Sequence, residues 1–247
     1  MQEFDDTHYV AMVTEKGIIK KTALSEYGNV RRTGIAAMTL SKGDTVNDVK
    51  LTDGSQDIVI GTHEGMAIRF HEREARPMGR TASGVRAITL NKGDKVVGAV
   101  AIKRRGTSIL VVAEKGFGKR SELEEYRVSH RGGKGVITLR STEKTGRLVA
   151  IKEVLENDDL VVVTTKGVII RQPVKEIRVA GRNTQGVRLI RLESGDEVSA
   201  VAAVPSEEEE AVVEETEKKE AEKKETETKS APPTPKRQSQ KKSSRKK

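Results

Sequence analysis

A three-marker pattern recurs four times along the chain at a spacing near fifty residues. The first marker is a tetrapeptide ending in glycine: Thr14-Glu15-Lys16-Gly17, Thr62-His63-Glu64-Gly65, Ala113-Glu114-Lys115-Gly116 and Thr164-Thr165-Lys166-Gly167. A second glycine follows in each unit, at Gly34, Gly84, Gly135 and Gly186. A third marker closes three units, as Lys42-Gly43-Asp44, Lys92-Gly93-Asp94 and Ser194-Gly195-Asp196, with Lys144-Thr145-Gly146 near that place in the other. A fixed order at this period is the mark of a repeat architecture, in which one supersecondary unit cannot bury its own apolar face and must stack on the next.

Each unit reads as short strands joined by turns. A β-branched run precedes the first glycine (Val10 to Val13, Ile58 to Ile60, Ile109 to Val112, Leu160 to Val163), and a second run follows it (Ile18-Ile19, Met66 to Ile68, Phe117, Val168 to Ile170). Two apolar runs joined by a polar turn ending in glycine predict a hairpin, the glycine supplying the positive φ the turn needs. A third run follows the second glycine (Ile35 to Leu40, Val85 to Leu90, Val136 to Leu139, Val187 to Leu192). A fourth follows the third marker (Val46 to Val49, Val96 to Ile102, Leu148 to Val154, Val198 to Val204). No stretch carries a sustained 3.6-residue period, so the expected class is all-β. The expectation is four four-stranded blades at about 7–54, 55–106, 107–157 and 158–204, radially arranged.

Composition changes at Pro205, where apolar residues nearly vanish. Residues 205–247 cannot bury enough surface to offset their ordering entropy and are expected to be a disordered tail, acidic over 207–227 and basic over 229–247. The formal charge of the whole chain is +9. The tail nearly cancels itself, so the excess belongs to residues 1–204. With no Cys, the chain has no disulfide framework, thiolate metal site or Cys nucleophile. Six aromatics are too few for a base-stacking platform. No run approaches the ~18 apolar residues of a membrane span, and the acidic start Met1-Gln2-Glu3-Phe4-Asp5-Asp6 lacks a signal-peptide core, so a cytoplasmic protein is expected.

The basic residues recur with the repeat. Each second strand ends in cations: Lys20 and Lys21, Arg69, Lys119 and Arg120, and Arg171. The loop before each second glycine carries more: Arg31 and Arg32; Arg76 and Arg80; Arg127, Arg131 and Lys134; Arg178 and Arg182. Arg86 and Arg188 follow two of those glycines by two. Equivalent positions in a repeat occupy equivalent surface, so these cations are expected to form one stripe along a rim and to bind a polyanion there. With no recognition helix and few aromatics, the partner expected is duplex DNA, held by its phosphates. Neighbouring acids, including Glu26, Glu72, Glu74, Glu122, Glu124, Glu125 and Glu176, offer the same cations an alternative as ordinary ion-pair partners. A propeller whose rim binds an acidic protein is the competing function.

The runs Lys16 to Thr22, Asn29 to Gly34, Arg76 to Thr81 and Gly181 to Arg188 resemble the C-terminal domain of the DNA gyrase A protein, over residues 3–204. The resemblance implies a β-pinwheel, in which neighbouring blades exchange strands. It implies a module that binds, bends and wraps duplex DNA in the service of ATP-dependent negative supercoiling by the whole enzyme, a type II topoisomerase built from gyrase A and gyrase B proteins. ATP and Mg belong to that whole enzyme; no cofactor is expected in this chain. The family domain usually has six blades, so four suggest a piece lacking the first two. The family's heptapeptide Gln-Arg-Arg-Gly-Gly-Lys/Arg-Gly has its nearest match in Ser129-His130-Arg131-Gly132-Gly133-Lys134-Gly135, in the third unit. The equivalent domain of topoisomerase IV is the alternative relative. Tyr27 and Tyr126 share a slot held by Ala75 and Ile177 elsewhere, which assigns them to packing, and His8, His63, His71 and His130 lack metal-ligand spacing. No phosphate-binding G-x-x-x-x-G-K-[ST] run is present. The chain by itself is expected not to cut DNA or hydrolyse ATP.

Overall fold

The computed structural model describes residues 4–205; the acidic and basic tail expected over 205–247 lies, from residue 206 on, outside the described residues. Unit one gives β1 (Tyr9–Thr14), β2 (Ile18–Ala23) and β3 (Val46–Thr52). Unit two gives β4 (Asp57–Thr62), β5 (Met66–His71), β6 (Val85–Arg86) and β7 (Val96–Ala101). Unit three gives β8 (Ser108–Ala113), β9 (Phe117–Glu122), β10 (Val136–Ile137) and β11 (Leu148–Val154). Unit four gives β12 (Asp159–Thr164), β13 (Ile169–Pro173), β14 (Val187–Arg188) and β15 (Val198–Val204). A short 3-10 turn follows each second hairpin strand, at Leu24–Tyr27, Glu72–Glu74, Leu123–Glu125 and Val174–Glu176.

The tetrapeptide marker is the hairpin turn. Gly17 N–H donates to the Thr14 carbonyl at 3.0 Å, and the Thr14 hydroxyl accepts from Ile18 N–H at 3.2 Å. The same two bonds recur from Gly65 and Met66 to Thr62, and from Gly167 and Val168 to Thr164. The distant Gly-Asp marker completes this turn. The Asp44 carboxylate accepts from Lys16 N–H, Asp94 from Glu64 N–H and Asp196 from Lys166 N–H, each at 3.0 Å. Unit three lacks that carboxylate, and there the Thr145 carbonyl takes the N–H of Lys115. Two markers some thirty residues apart in sequence are thus one structural joint.

Sheet order is where the units depart from the simple expectation of four strands each. The sheets run β3-β1-β2-β6, β10-β5-β4-β7, β11-β8-β9-β14 and β13-β12-β15. The strand after the second glycine leaves its own unit and pairs with the hairpin of the unit before: Val85 with Ile19, Val136 with Ala67, Val187 with Gly118. This is the strand exchange the resemblance implies. It also shortens those runs to two paired residues, and it leaves Ile35 to Leu40 of unit one outside any strand. Among the described residues the sheets are therefore three of four strands and one of three.

The core lies between blades. In β4, Ile58 and Ile60 face a cluster with Val13 and Ile19 of unit one, while Val59 faces Ile109 and Val111 of unit three. In β8, Ile109 and Val111 face unit two, while Leu110 and Val112 pack on Leu160 and Val162 of unit four. Middle strands covered on both faces read as unbroken apolar runs; β12, covered on one, alternates between buried and half-buried. Tyr126 is buried in this core, its hydroxyl bonded to Thr138, in keeping with a packing role. The fourth strands β3, β7, β11 and β15 pack successively, so the exchanged strands β6, β10 and β14 stand at the opposite, outer edge.

Candidate nucleic-acid interface

The repeated cations divide into three groups. The first is buried. Lys20 and Lys119, both 0% exposed, are the third residues after their turn glycines, where units two and four have Ile68 and Ile170. Lys20 Nζ donates to the Ala37 carbonyl at 2.5 Å and the Arg80 carbonyl at 2.6 Å. Lys119 Nζ donates to the carbonyls of Gly181 and Arg182, the latter at 2.5 Å. Burial pushes the pKa of the Lys119 amine down to about 8, the negative charge of Glu125 opposing the fall and the positive charge of Arg182 adding to it. Burial also lowers that of Lys20. Lys21 and Arg120, the fourth residues, are buried as well. Lys21 forms an ion pair with Glu72 at 3.2 Å and donates to the Glu72 carbonyl at 3.1 Å. Arg120 Nε donates to the Ile177 carbonyl at 2.8 Å.

These four are not part of an exposed stripe, which corrects the expectation. The reason is strand exchange. The next unit's 3-10 turn and loop lie across the end of each hairpin, and their carbonyls need donors. A cation extended from the hairpin satisfies several at once. Arg69 does the same in unit two, donating to the carbonyls of Leu123 and Tyr126 and pairing with Asp57 at 2.7 Å.

The second group is half-buried and holds the loops in shape. Arg131 donates through Nε to the Glu74 carbonyl at 3.0 Å and through a terminal nitrogen to the Arg86 carbonyl at 2.9 Å, while its N–H binds the Glu74 carboxylate. Arg182 repeats each contact on Glu125 and Ile137. Arg80, in the same slot, reaches the Ala36 carbonyl at 3.5 Å. Of the acids offered as ion-pair partners, Glu72 pairs with Lys21, whereas the Glu74 and Glu125 carboxylates accept the backbone N–H groups of Arg131 and Arg182. The heptapeptide-like run places Arg131 in this clamp and leaves Lys134 exposed.

The third group is exposed and makes no side-chain hydrogen bond or ion pair among the described residues: Arg31, Arg32, Arg76, Arg86, Arg127, Lys134, Arg178 and Arg188. Arg76, Arg127 and Arg178 occupy one slot, eleven residues after the turn glycine, in three successive units. Arg86 and Arg188 lie on β6 and β14 at the outer edge. Arg171 is exposed too, but it pairs with Asp159 of its own hairpin at 2.7 Å.

Sequence reasoning missed one cationic cleft. Lys115, Lys144, Arg188 and Arg191 line a hollow of about 500 Å³ floored by Phe117 and Ile190, with Glu193, Asp196 and Glu197 on its border. Lys144 Nζ stands 5.3 Å and the Arg188 guanidinium 5.4 Å from the centre of the Phe117 ring. The signal was the cross-strand pair of Arg188 with Phe117, visible only once the exchange register is known. Among the described residues no group of three or more His, Asp or Glu side chains could hold a metal ion.

Blades that trade their outer strands, with Arg86 and Arg188 exposed on two of those strands, define a β-pinwheel with cations at its outer edge. The chain belongs to the DNA gyrase C-terminal domain, beta-propeller family, whose model matches residues 8–53, 56–103, 107–154 and 158–205, one match per unit. It is 44% identical over 211 residues to the DNA gyrase A protein of Staphylococcus aureus, a match covering 85% of this chain and 24% of that protein. The chain therefore spans about a quarter of the length of the curated relatives it matches. Among solved structures, the C-terminal domain of DNA topoisomerase IV is 30% identical with a TM-score of 0.79, over 84% of this chain and 65% of the other. A DNA gyrase A C-terminal domain, at 22% identity and TM-score 0.75 over 83% of this chain and 68% of that one, shares the fold.

Proposed function

We propose that the outer edge binds duplex DNA without regard to sequence, bending or wrapping it as the gyrase A module of a DNA gyrase. The observation that carries this reading is the identical slot of Arg76, Arg127 and Arg178 in three successive units, each exposed and without an ion-pair partner among the described residues. A row of cations at a structural period suits a partner that is itself a periodic row of charges. Phosphates are such a row, and no recognition helix is present among the described residues to read bases. Bending a duplex over two or three turns costs on the order of 1–6 kcal/mol, which several Arg–phosphate contacts offset. The 44% identity to a gyrase A protein favours gyrase over topoisomerase IV as the parent enzyme. The remainder of gyrase A, together with gyrase B, would then supply the protein partners, working on the chromosome in the cytoplasm. ATP and Mg would act elsewhere in that assembly, and this chain by itself would neither cut DNA nor hydrolyse ATP.

Affinity for a linear duplex measured against salt tests the reading. With about six phosphates contacted, log K should fall against log salt with a slope near −5. Replacing Arg76, Arg127 and Arg178 together by Ala should reduce that slope by about 3 and weaken all sequences alike. A salt-independent affinity, or an unchanged slope in the triple variant, defeats it.

A further inference from the structure

The three exposed arginines that share a slot are each followed by a compact apolar residue. Pro77 follows Arg76, Val128 follows Arg127 and Val179 follows Arg178. All three are exposed, Val128 by 56% and Val179 by 41%. One exposed valine on a protein surface calls for no explanation. The same slot filled by an apolar residue in three successive units does.

The backbone at the slot is fixed on both sides. Two residues before it, Ala75, Tyr126 and Ile177 close the 3-10 turn, their N–H groups donating to the carbonyls of Glu72, Leu123 and Val174 at 3.0, 3.1 and 2.9 Å. One residue after it, the N–H groups of Met78, Ser129 and Ala180 donate to the carbonyls of Lys21, Arg69 and Arg120 at 2.8, 2.9 and 2.9 Å. Pro77, Val128 and Val179 themselves pair in parallel with those same three cations. The slot residue cannot turn inward without breaking these bonds. Backbone preference does not explain which residues fill it. Valine is a strand former, whereas proline is depleted from strands. Proline is admitted here because the bridge uses the N–H after the slot and, at Arg120, the Arg178 carbonyl before it. What the two residues share is a short apolar side chain without a hydrogen-bonding group.

An arginine beside an apolar residue, repeated from unit to unit, matches a ligand whose surface alternates charge with apolar rings. A nucleic-acid backbone alternates phosphate with sugar in this way. An acidic polypeptide offers carboxylates with no fixed apolar ring between them. Side chains that neither donate nor accept cannot read base edges. The sugar separates the two kinds of duplex: RNA displays its 2′-hydroxyls in the minor groove, and pressing a hydroxyl onto a methyl group strips it of water. Resting on the duplex-DNA reading above, we infer that Pro77, Val128 and Val179 pack on deoxyribose rings along the minor-groove edge while the arginine before each holds a neighbouring phosphate. The slot thereby makes the rim selective for DNA over duplex RNA.

Binding of the full 247-residue chain to a linear DNA duplex and to the RNA duplex of the same sequence, each measured against salt, tests this. The double variant Val128→Ala, Val179→Ala should bind DNA about tenfold more weakly at every salt concentration, the scale of two half-buried valines. Its salt slope should stay that of the parent chain, since no phosphate contact is lost. Affinity for RNA should not change, so the preference for DNA shrinks by the same factor. The circular dichroism melt of the variant should match that of the parent. If the parent chain binds no DNA, the duplex reading fails and this inference with it. If the parent binds DNA with the expected slope and the variant matches it, this inference alone fails. A loss shared equally by DNA and RNA assigns the slot to loop shape, and a variant weakened only toward polyglutamate assigns it to an acidic protein; either result overturns the inference.

Discussion

The fourth and the eleventh residues after each turn glycine are both cations in units two to four, only seven residues apart, yet in units two and three they have opposite fates. Arg69 and Arg120 lie under the next unit's turn and donate to its carbonyls, as Lys21 does in unit one. Arg76, Arg127 and Arg178 stand in solvent, with no ion pair among the described residues. Charge alone does not separate them. What separates them is whether a neighbouring chain segment crosses the side chain, and strand exchange decides that. A cation count at a repeat period therefore mixes two populations: those that hold the blades together and those left in solvent.

The sharpest way to break this division is to remove a buried acid. Glu72 is 1% exposed; it pairs with Lys21 and also accepts from Thr52 and from Gln56 N–H. Glu72→Ala leaves an ammonium buried without its counter-charge and should cost about 3–5 kcal/mol in urea unfolding. The double variant Lys21→Met, Glu72→Leu should recover much of that, because a buried pair contributes less than its breakage costs. Substituting Arg76, Arg127 and Arg178 by Ala should instead leave the unfolding midpoint within the range of ordinary surface changes, roughly 0.5 kcal/mol per site. If the surface triple unfolds as readily as Glu72→Ala, the two populations are one.

Much of the fold was legible because its determinants are local. The turn glycines with their Thr and Asp partners, the β-branched runs and the four-fold period specify hairpins wherever they occur. The destination of the third run was not, since a two-residue strand such as Val85–Arg86 pairs as well with its own unit as with its neighbour on pattern alone. Only the family resemblance supplied the exchange. The site shows the same limit. That Arg76, Arg127 and Arg178 share a slot can be read from spacing. That Lys20 and Lys119 are buried cannot, because the carbonyls they serve lie about sixty residues away at Arg80 and Arg182. The presence of Ile68 and Ile170 in the same slot was the available signal, since a position that alternates between Lys and Ile is one that the core can reach.

A smaller effect comes from titration. The Lys119 amine has a folded pKa of about 8, below its unfolded value. Between the two values the unfolded chain binds more protons, so stability should rise with pH across that window and the burial cost should be fully present below pH 8. Lys119→Met should flatten the rise by up to about 1.4 kcal/mol per pH unit. Lys20, lowered in the same direction, should leave a residual slope in that variant. Unfolding curves at about pH 7.5 and about pH 9.5, either side of most of that rise, measure both. A slope identical in the two proteins would mean that Nζ reaches water.

The smallest effect is the most discriminating. Arg171 occupies the slot of Lys21, Arg69 and Arg120, but among the described residues no unit follows to cross it. It pairs with Asp159 of its own hairpin, with its side chain 62% exposed. An exposed pair of this kind contributes at most about 1 kcal/mol. Arg120→Ala, by contrast, strips a guanidinium donor from the buried Ile177 carbonyl and should cost roughly 1.5–3 kcal/mol. Arg171→Ala should therefore lie within about 0.5 kcal/mol of the parent chain at dilute protein. Equal costs for Arg120→Ala and Arg171→Ala at low concentration would show that the slot acts within its own hairpin and not on the next unit.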